Sequence, residues 1–213
     1  MRRRFSMSGT AIMYDTTVVP SKKEIAQAWT GYVDLQGSYR LVDTVDGEVG
    51  VEVLISKDRE GRLLQIPFSY RSAEINPEQT LSTLEHGVLG KRWVTNALGD
   101  PVAVREFIRT ILTGDDGAAR SDGVKGYLDI KGSGDAESVD LQDVKLTEVT
   151  RQRAIGSVTI NGERKQFSLR LPQLLKNFRE TAAGHTATTL RIVATHPEKD
   201  DVELLVAEFN WME

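Results

Sequence analysis

Apolar and polar positions alternate most clearly over residues 49–56. There Val49, Val51, Val53 and Ile55 interleave with Gly50, Glu52, Leu54 and Ser56. A period of two predicts a strand with one face in the core and the other toward solvent. Asp58 to Gly61 supply a turn, and Leu64, Ile66, Phe68 and Tyr70 continue as the returning strand of a hairpin. Pro67 cannot donate to a ladder, so it marks an edge or a bulge. A short strand is predicted over Ala11 to Thr17, and another over Arg92 to Asn96.

Two helices are signalled by their ends. Ser21 with Glu24 reads as a capping box, opening a helix that runs through Trp29 and stops before Gly31. Ile25 and Trp29, one turn apart, should face the core together. Asp100-Pro101 opens the second helix with an N-cap acceptor followed by proline, and Gly114 ends it. Val104, Phe107, Ile108, Ile111 and Leu112 form its apolar stripe, which leaves Arg105, Glu106 and Arg109 on the expected solvent face. On that reading, Arg109→Ala would cost under about 0.5 kcal/mol.

Residues 114–123 (GDDGAARSDG) read as a polar, glycine-rich linker, and beyond them the pattern is almost wholly β. Leu128 and Ile130 alternate, as do Val139 and Leu141, with Val144, Leu146 and Val149 following after a shift of register. Val158 and Ile160 precede Asn161-Gly162, the strongest hairpin turn in the chain, and Phe167, Leu169 and Leu171 return on one face. Residues 173–180 fit a helix through Leu174, Leu175 and Phe178, or a strand continuing from Phe167; the reading taken is strand as far as Leu175. Two last strands, Thr189 to Thr195 and Val202 to Trp211, flank the charged turn HPEKDD. The predicted architecture is α+β: a curved antiparallel sheet packed on one main helix over residues 10–115, then a mostly antiparallel β region over 120–213 that either extends that sheet or packs closely on it as a partner sheet. Residues 1–9 are expected to be a disordered tail.

Composition narrows the classes of function. A net charge of −4 argues against a nucleic-acid binder that relies on neutralising phosphates, despite Arg2-Arg3-Arg4. The absence of cysteine removes disulfides, thiolate metal sites and cysteine nucleophiles, and it fits a cytoplasmic protein. No apolar run approaches membrane-spanning length, and no leader-like run follows the arginines. The histidines (His86, His185, His196) lack metal-ligand spacing. Lys131-Gly132-Ser133-Gly134-Asp135 is neither a Walker loop nor a dinucleotide fingerprint, and a flexible hairpin or linker explains it better. No catalytic set, metal or cofactor is therefore expected. Glu85 and His86 are the place to look if the chain is an enzyme, the less favoured reading. Tyr70-Arg71 and Arg92-Trp93 pair aromatic rings with guanidinium groups, a composition suited to stacking on a sugar or anchoring a partner. Trp93 on its own reads more readily as core. The candidate contact residues are thus Tyr70, Arg71, Glu85, His86, Arg92 and Trp93.

Three segments carry a resemblance. MYDTTVVPSKKEIAQAW, GEVGVEVLISKDREGRLLQIPFSYR and TLSTLEHGVLGKRWVTNALGDPVAVREFIRTIL together are similar to the N-terminal cap domain of bacterial maltokinases, over about residues 10–115. The layout looks like that of stand-alone cap-like proteins without kinase lobes. The resemblance implies a curved, cystatin-like sheet holding a helix. It implies no catalytic residue, because the cap contributes none. It also implies association with a sugar kinase or another protein of glucan or trehalose metabolism. A branching enzyme is excluded, since a (β/α)8 barrel needs about 250 residues and more helices. The leading expectation is a non-catalytic accessory or interaction module. A small-molecule or oligosaccharide binder is the alternative, and an enzyme of unrecognised type comes third. Oligomeric state stays open.

Overall fold

The second helix forms as its signals predict. In a computed structural model that describes residues 9–181 and 190–212, it spans Pro101–Thr113. The Asp100 side chain accepts from Val102 N and Ala103 N, and Gly114 closes the helix in the left-handed conformation. The expected tail, apart from Gly9, lies outside the described residues, as does His185.

In chain order the first half contains β1 (Thr10–Ala11), β2 (Val18–Val19), α1 (Lys22–Thr30), β3 (Asp34–Val42), β4 (Gly50–Lys57), β5 (Leu63–Arg71), β6 (Thr80–His86), β7 (Gly90–Asn96) and α2 (Pro101–Thr113). The second half contains β8 (Ala119–Arg120), β9 (Ile130–Gly132), β10 (Leu141–Val149), β11 (Arg153–Ile160), β12 (Glu163–Arg170), β13 (Lys176–Asn177), α3 (Phe178–Thr181), β14 (Leu190–His196) and β15 (Lys199–Met212). The fold is α+β with mainly antiparallel, curled sheets. One large sheet runs β2-β6-β7-β5-β4-β3, the other runs β10-β11-β12-β15-β14-β9 with β13 beside β15, and β1 pairs with β8 as a short parallel ribbon.

These pieces stack in layers. α1 covers one face of the first sheet through Ile25 and Ala26, against Leu54, Ile66, Phe68, Leu84 and Val94. The opposite face, with Tyr39, Leu41, Val51, Val53 and Ile55, joins α2 and the inward residues of the second sheet in one core. β4 is therefore buried on both faces, and the expected half-buried strand is corrected. Its alternation separates two cores, one per face, rather than core from water. Trp29 packs at the edge of the α1 core and is only partly buried.

Several other local expectations change. Residues 12–17 form no strand, and only the short β1 and β2 flank them. The predicted strand at Arg92 starts two residues earlier, because Gly87 to Leu89 turn the chain from β6 into β7. β12 ends at Arg170. Pro172 interrupts the run toward Leu175, and the chain rejoins the same neighbour, β15, as β13 before the single helical turn α3. The Asn161-Gly162 hairpin forms as read: Ile160 pairs with Glu163, and both turn residues hold positive φ (50° and 85°).

The largest correction concerns α2. Arg105 is mostly covered, Glu106 is fully buried and Arg109 is 9% exposed, so this helix has no solvent face. It lies between the two sheets and satisfies its charges internally. Glu106 accepts from Thr44, Arg105 and Arg109, and Arg109 also donates to Asp115 at 2.7 Å. The glycine-rich 131–135 segment is likewise no flexible linker. Gly132 N donates to Asp115 O, Gly134 N to Ile111 O and Ala136 N to Leu112 O, so the segment ties down the exit of α2 and its unpaired carbonyls. A Cβ at Gly134 would collide with the Leu112 carbonyl, which explains glycine there.

Candidate functional site

The six residues singled out from the sequence lie on three neighbouring strands, β5, β7 and β6, but the sheet divides them. Paired residues of an antiparallel sheet share a face. Tyr70 pairs with Val94, Leu84 with Arg92 and His86 with Gly90, so Tyr70, Arg92 and His86 lie on the α1 face. Arg71 pairs with Trp93 and Glu85 with Lys91, which puts Arg71, Trp93 and Glu85 on the other face.

Each has a distinct local role. The Arg71 guanidinium grips both oxygens of Asp100 at 2.8 Å and so braces the N-cap of α2. Trp93 is half-buried, not core, and carries the Lys91 ammonium 4.5 Å above its ring. Arg92 donates to the Lys91 carbonyl, and Glu85 is exposed. His86 Nδ1 accepts from Val88 N and Leu89 N, which closes the β6–β7 turn, and its ring meets Tyr14 edge-on. Partial burial, then the nearby Arg92 and Lys22 charges, lower its pKa, so the neutral imidazole that accepts those bonds is favoured.

Tyr70 leads to a polar centre that sequence reasoning missed. Its hydroxyl donates to Glu52 Oε2 at 2.9 Å. The same carboxylate receives Lys22 Nζ at 2.7 Å, Arg40 Nη2 at 2.8 Å and the Ser38 hydroxyl at 2.9 Å, while Glu52 itself is 3% exposed. Burial would raise the Glu52 pKa, but Arg40, Lys22 and the hydrogen bonds outweigh it and hold the carboxyl below its usual range. A depressed carboxylate pKa contributes stability that is present above the unfolded value and lost as pH falls through the folded one. The urea midpoint should therefore drop as pH is lowered from about 5 to about 3. A carbon-13 titration of the Glu52 carboxyl should give a midpoint below the ordinary glutamate value; a midpoint above it would refute this account.

Beside that centre lies a cavity of about 350 Å³. β3 is the edge of the first sheet, and the 117–130 segment straps it: Ala118 N donates to Arg40 O and Tyr127 N to Ser38 O. Between those two anchors the strap bows outward through β8 and a loop, and this opens the space. A Cβ at Gly37 would meet Tyr127 at 2.7 Å, so glycine lets the strap seat against the strand.

At the other edge of the sheet, two of the sequence segments quoted above meet. Val18 and Val19 pair with His86 and Glu85, and Gly87 N donates to Thr17 O. Around His86 the side chains of Tyr14, Val88 and Leu89 point outward, and Val19 stands beside Glu85. Val19 is 66% and Val88 59% exposed.

Residues 23–100 match the maltokinase N-terminal cap domain. The match runs from the first turn of α1 to the N-cap of α2 and covers somewhat over a third of the chain. No curated protein matches the chain. The cap-like segment contributes all of β3 to β7, and with them Tyr70, Arg71, Glu85, His86, Arg92, Trp93 and the Glu52 centre apart from Lys22. The 117–130 strap lies outside it. Among the described residues, no helix is long and apolar enough to cross a membrane.

Proposed function

We propose that this protein is a non-catalytic accessory module of glucan or trehalose metabolism, which docks on a sugar kinase or another protein of that metabolism through the β2–β6 edge. The observation that carries the reading is the exposed apolar tip formed by Tyr14, Val88 and Leu89, with Val19 exposed on the opposite face of the same edge. These are large apolar side chains gathered at one end of a sheet, the composition of a contact surface. The match of residues 23–100 to a maltokinase cap supports the choice of partner class. The internal engagement of Tyr70 and Arg71, held by Glu52 and Asp100, favours docking over sugar stacking at those two residues.

Capture of partners from a native lysate tests the proposal. Wild-type protein should retain a sugar kinase or another glucan-metabolic protein. The Val88→Glu/Leu89→Glu variant, altered at exposed turn positions, should lose at least about 90% of it, because charge placed in the apolar core of an interface strongly weakens it. Capture of no sugar-metabolic protein, or equal capture by both forms, would refute the reading.

A further inference from the structure

The strapped cavity differs in character from the apolar tip and lies at the opposite edge of the sheet. Its floor is β3, with Ser38 and Arg40, and its outer wall is β8 and the loop after it, with Arg120 and Lys125. Gly117, Gly123 and Gly126 also line it, so much of the wall is bare backbone. Its volume of about 350 Å³ sits at the small end of the ligand-pocket range, room for a molecule no larger than a substituted monosaccharide.

The charges around it do not balance locally. Lys22, Arg40, Arg120 and Lys125 are the cations at or next to the cavity, against the carboxylates of Glu52, Asp122 and Asp129. Glu52 alone serves both Lys22 and Arg40. The Arg40 Nε is buried without a hydrogen-bond partner, so Glu52 does not saturate that guanidinium. Burial lowers the Lys22 pKa, and although Glu52 opposes this, the Arg40 and Arg120 charges push the same way, the signature of crowded cations. Arg120 reaches into the cavity while tied to Asp122, and Asp129 is exposed on the lining.

We propose that this cavity binds a small phosphate monoester, its phosphate seated between Arg40 and Arg120 with Lys125 closing the rim. A dianion relieves the cationic excess better than a single carboxylate can. Planar guanidinium groups match tetrahedral oxyanions with paired donors, and the Asp129 carboxylate can accept a hydroxyl from the organic part. The site is separate from the proposed docking tip, and either can hold without the other.

Isothermal titration at matched ionic strength tests the assignment, with glucose 6-phosphate, inorganic phosphate and glucose as probes. The ester should bind saturably and more tightly than inorganic phosphate, and glucose should not bind. Arg120→Gln/Lys125→Gln should weaken the ester at least about tenfold, the scale of losing a charge-assisted contact. Lys131→Gln, which alters a lysine paired with Asp116 outside the cavity, should bind as wild type does. Lys125→Gln alone, at an exposed loop position outside both cores, should still weaken binding about threefold. No saturable binding of the ester up to about 10 mM, or equal affinity in wild type and variants, would overturn the proposal. Tighter binding of inorganic phosphate than of the ester would overturn the ester assignment.

Discussion

Phe107→Ala should cost about 3–5 kcal/mol of stability, read as a shift in urea midpoint. Phe107 is fully buried at the centre of α2, in the core that joins Val51 and Val53 of the first sheet to Phe167, Leu169 and Phe209 of the second. Truncation removes a large apolar side chain where neither sheet can collapse, because each is pinned by its own ladder. Since both halves lean on the same helix, the variant should still unfold in a single transition with an unchanged slope. A midpoint equal to that of wild type would place Phe107 outside the core. Two separated transitions would show that the sheets have independent cores.

What could be read beforehand divides along a physical line. Elements announced by their ends, such as Asp100-Pro101 with Gly114, Ser21 with Glu24, and Asn161-Gly162, formed as read, because caps and turns are local chemistry. The core faces of α2 and β4 formed as read but their solvent faces did not, since a period of 3.6 or 2 separates two environments without saying what the second one is. Glu52 and Glu106 look like solvent positions in any pattern of this kind. Burial becomes tolerable only through partners distant in sequence: Arg40 and Lys22 for Glu52, Thr44 and Arg109 for Glu106. The same limit hid the cavity. Its walls come from a strand absent from the sequence reading, β3, and from the 117–130 strap, of which 117–123 was read as linker and whose backbone instead completes the edge of that strand. The glycines of that stretch and of 131–135 were legible as glycines. Their function of close backbone approach depends on neighbours that only the fold supplies.

Arg109→Ala should cost about 3–5 kcal/mol, against the under 0.5 kcal/mol that a solvent face would give. The side chain is 11% exposed, with Nε on Glu106 Oε2 at 2.8 Å and Nη1 on Asp115 Oδ2 at 2.7 Å. Burial opposes its charge, but the hydrogen bonds it donates to Asp115 and Glu106 outweigh this and raise its pKa, so the guanidinium is held charged. Removing it takes a charged partner from two buried carboxylates, Asp115 and Glu106, and Arg105 and Thr44 remain for Glu106. The loss therefore comes from the partners left behind more than from the pair itself. That distinction is measurable: Arg109→Ala combined with Glu106→Gln should recover part of the loss, because the second change removes one of the stranded charges. An Arg109→Ala urea midpoint within error of wild type at neutral pH would return Arg109 to the solvent face and dissolve the charged seam through α2.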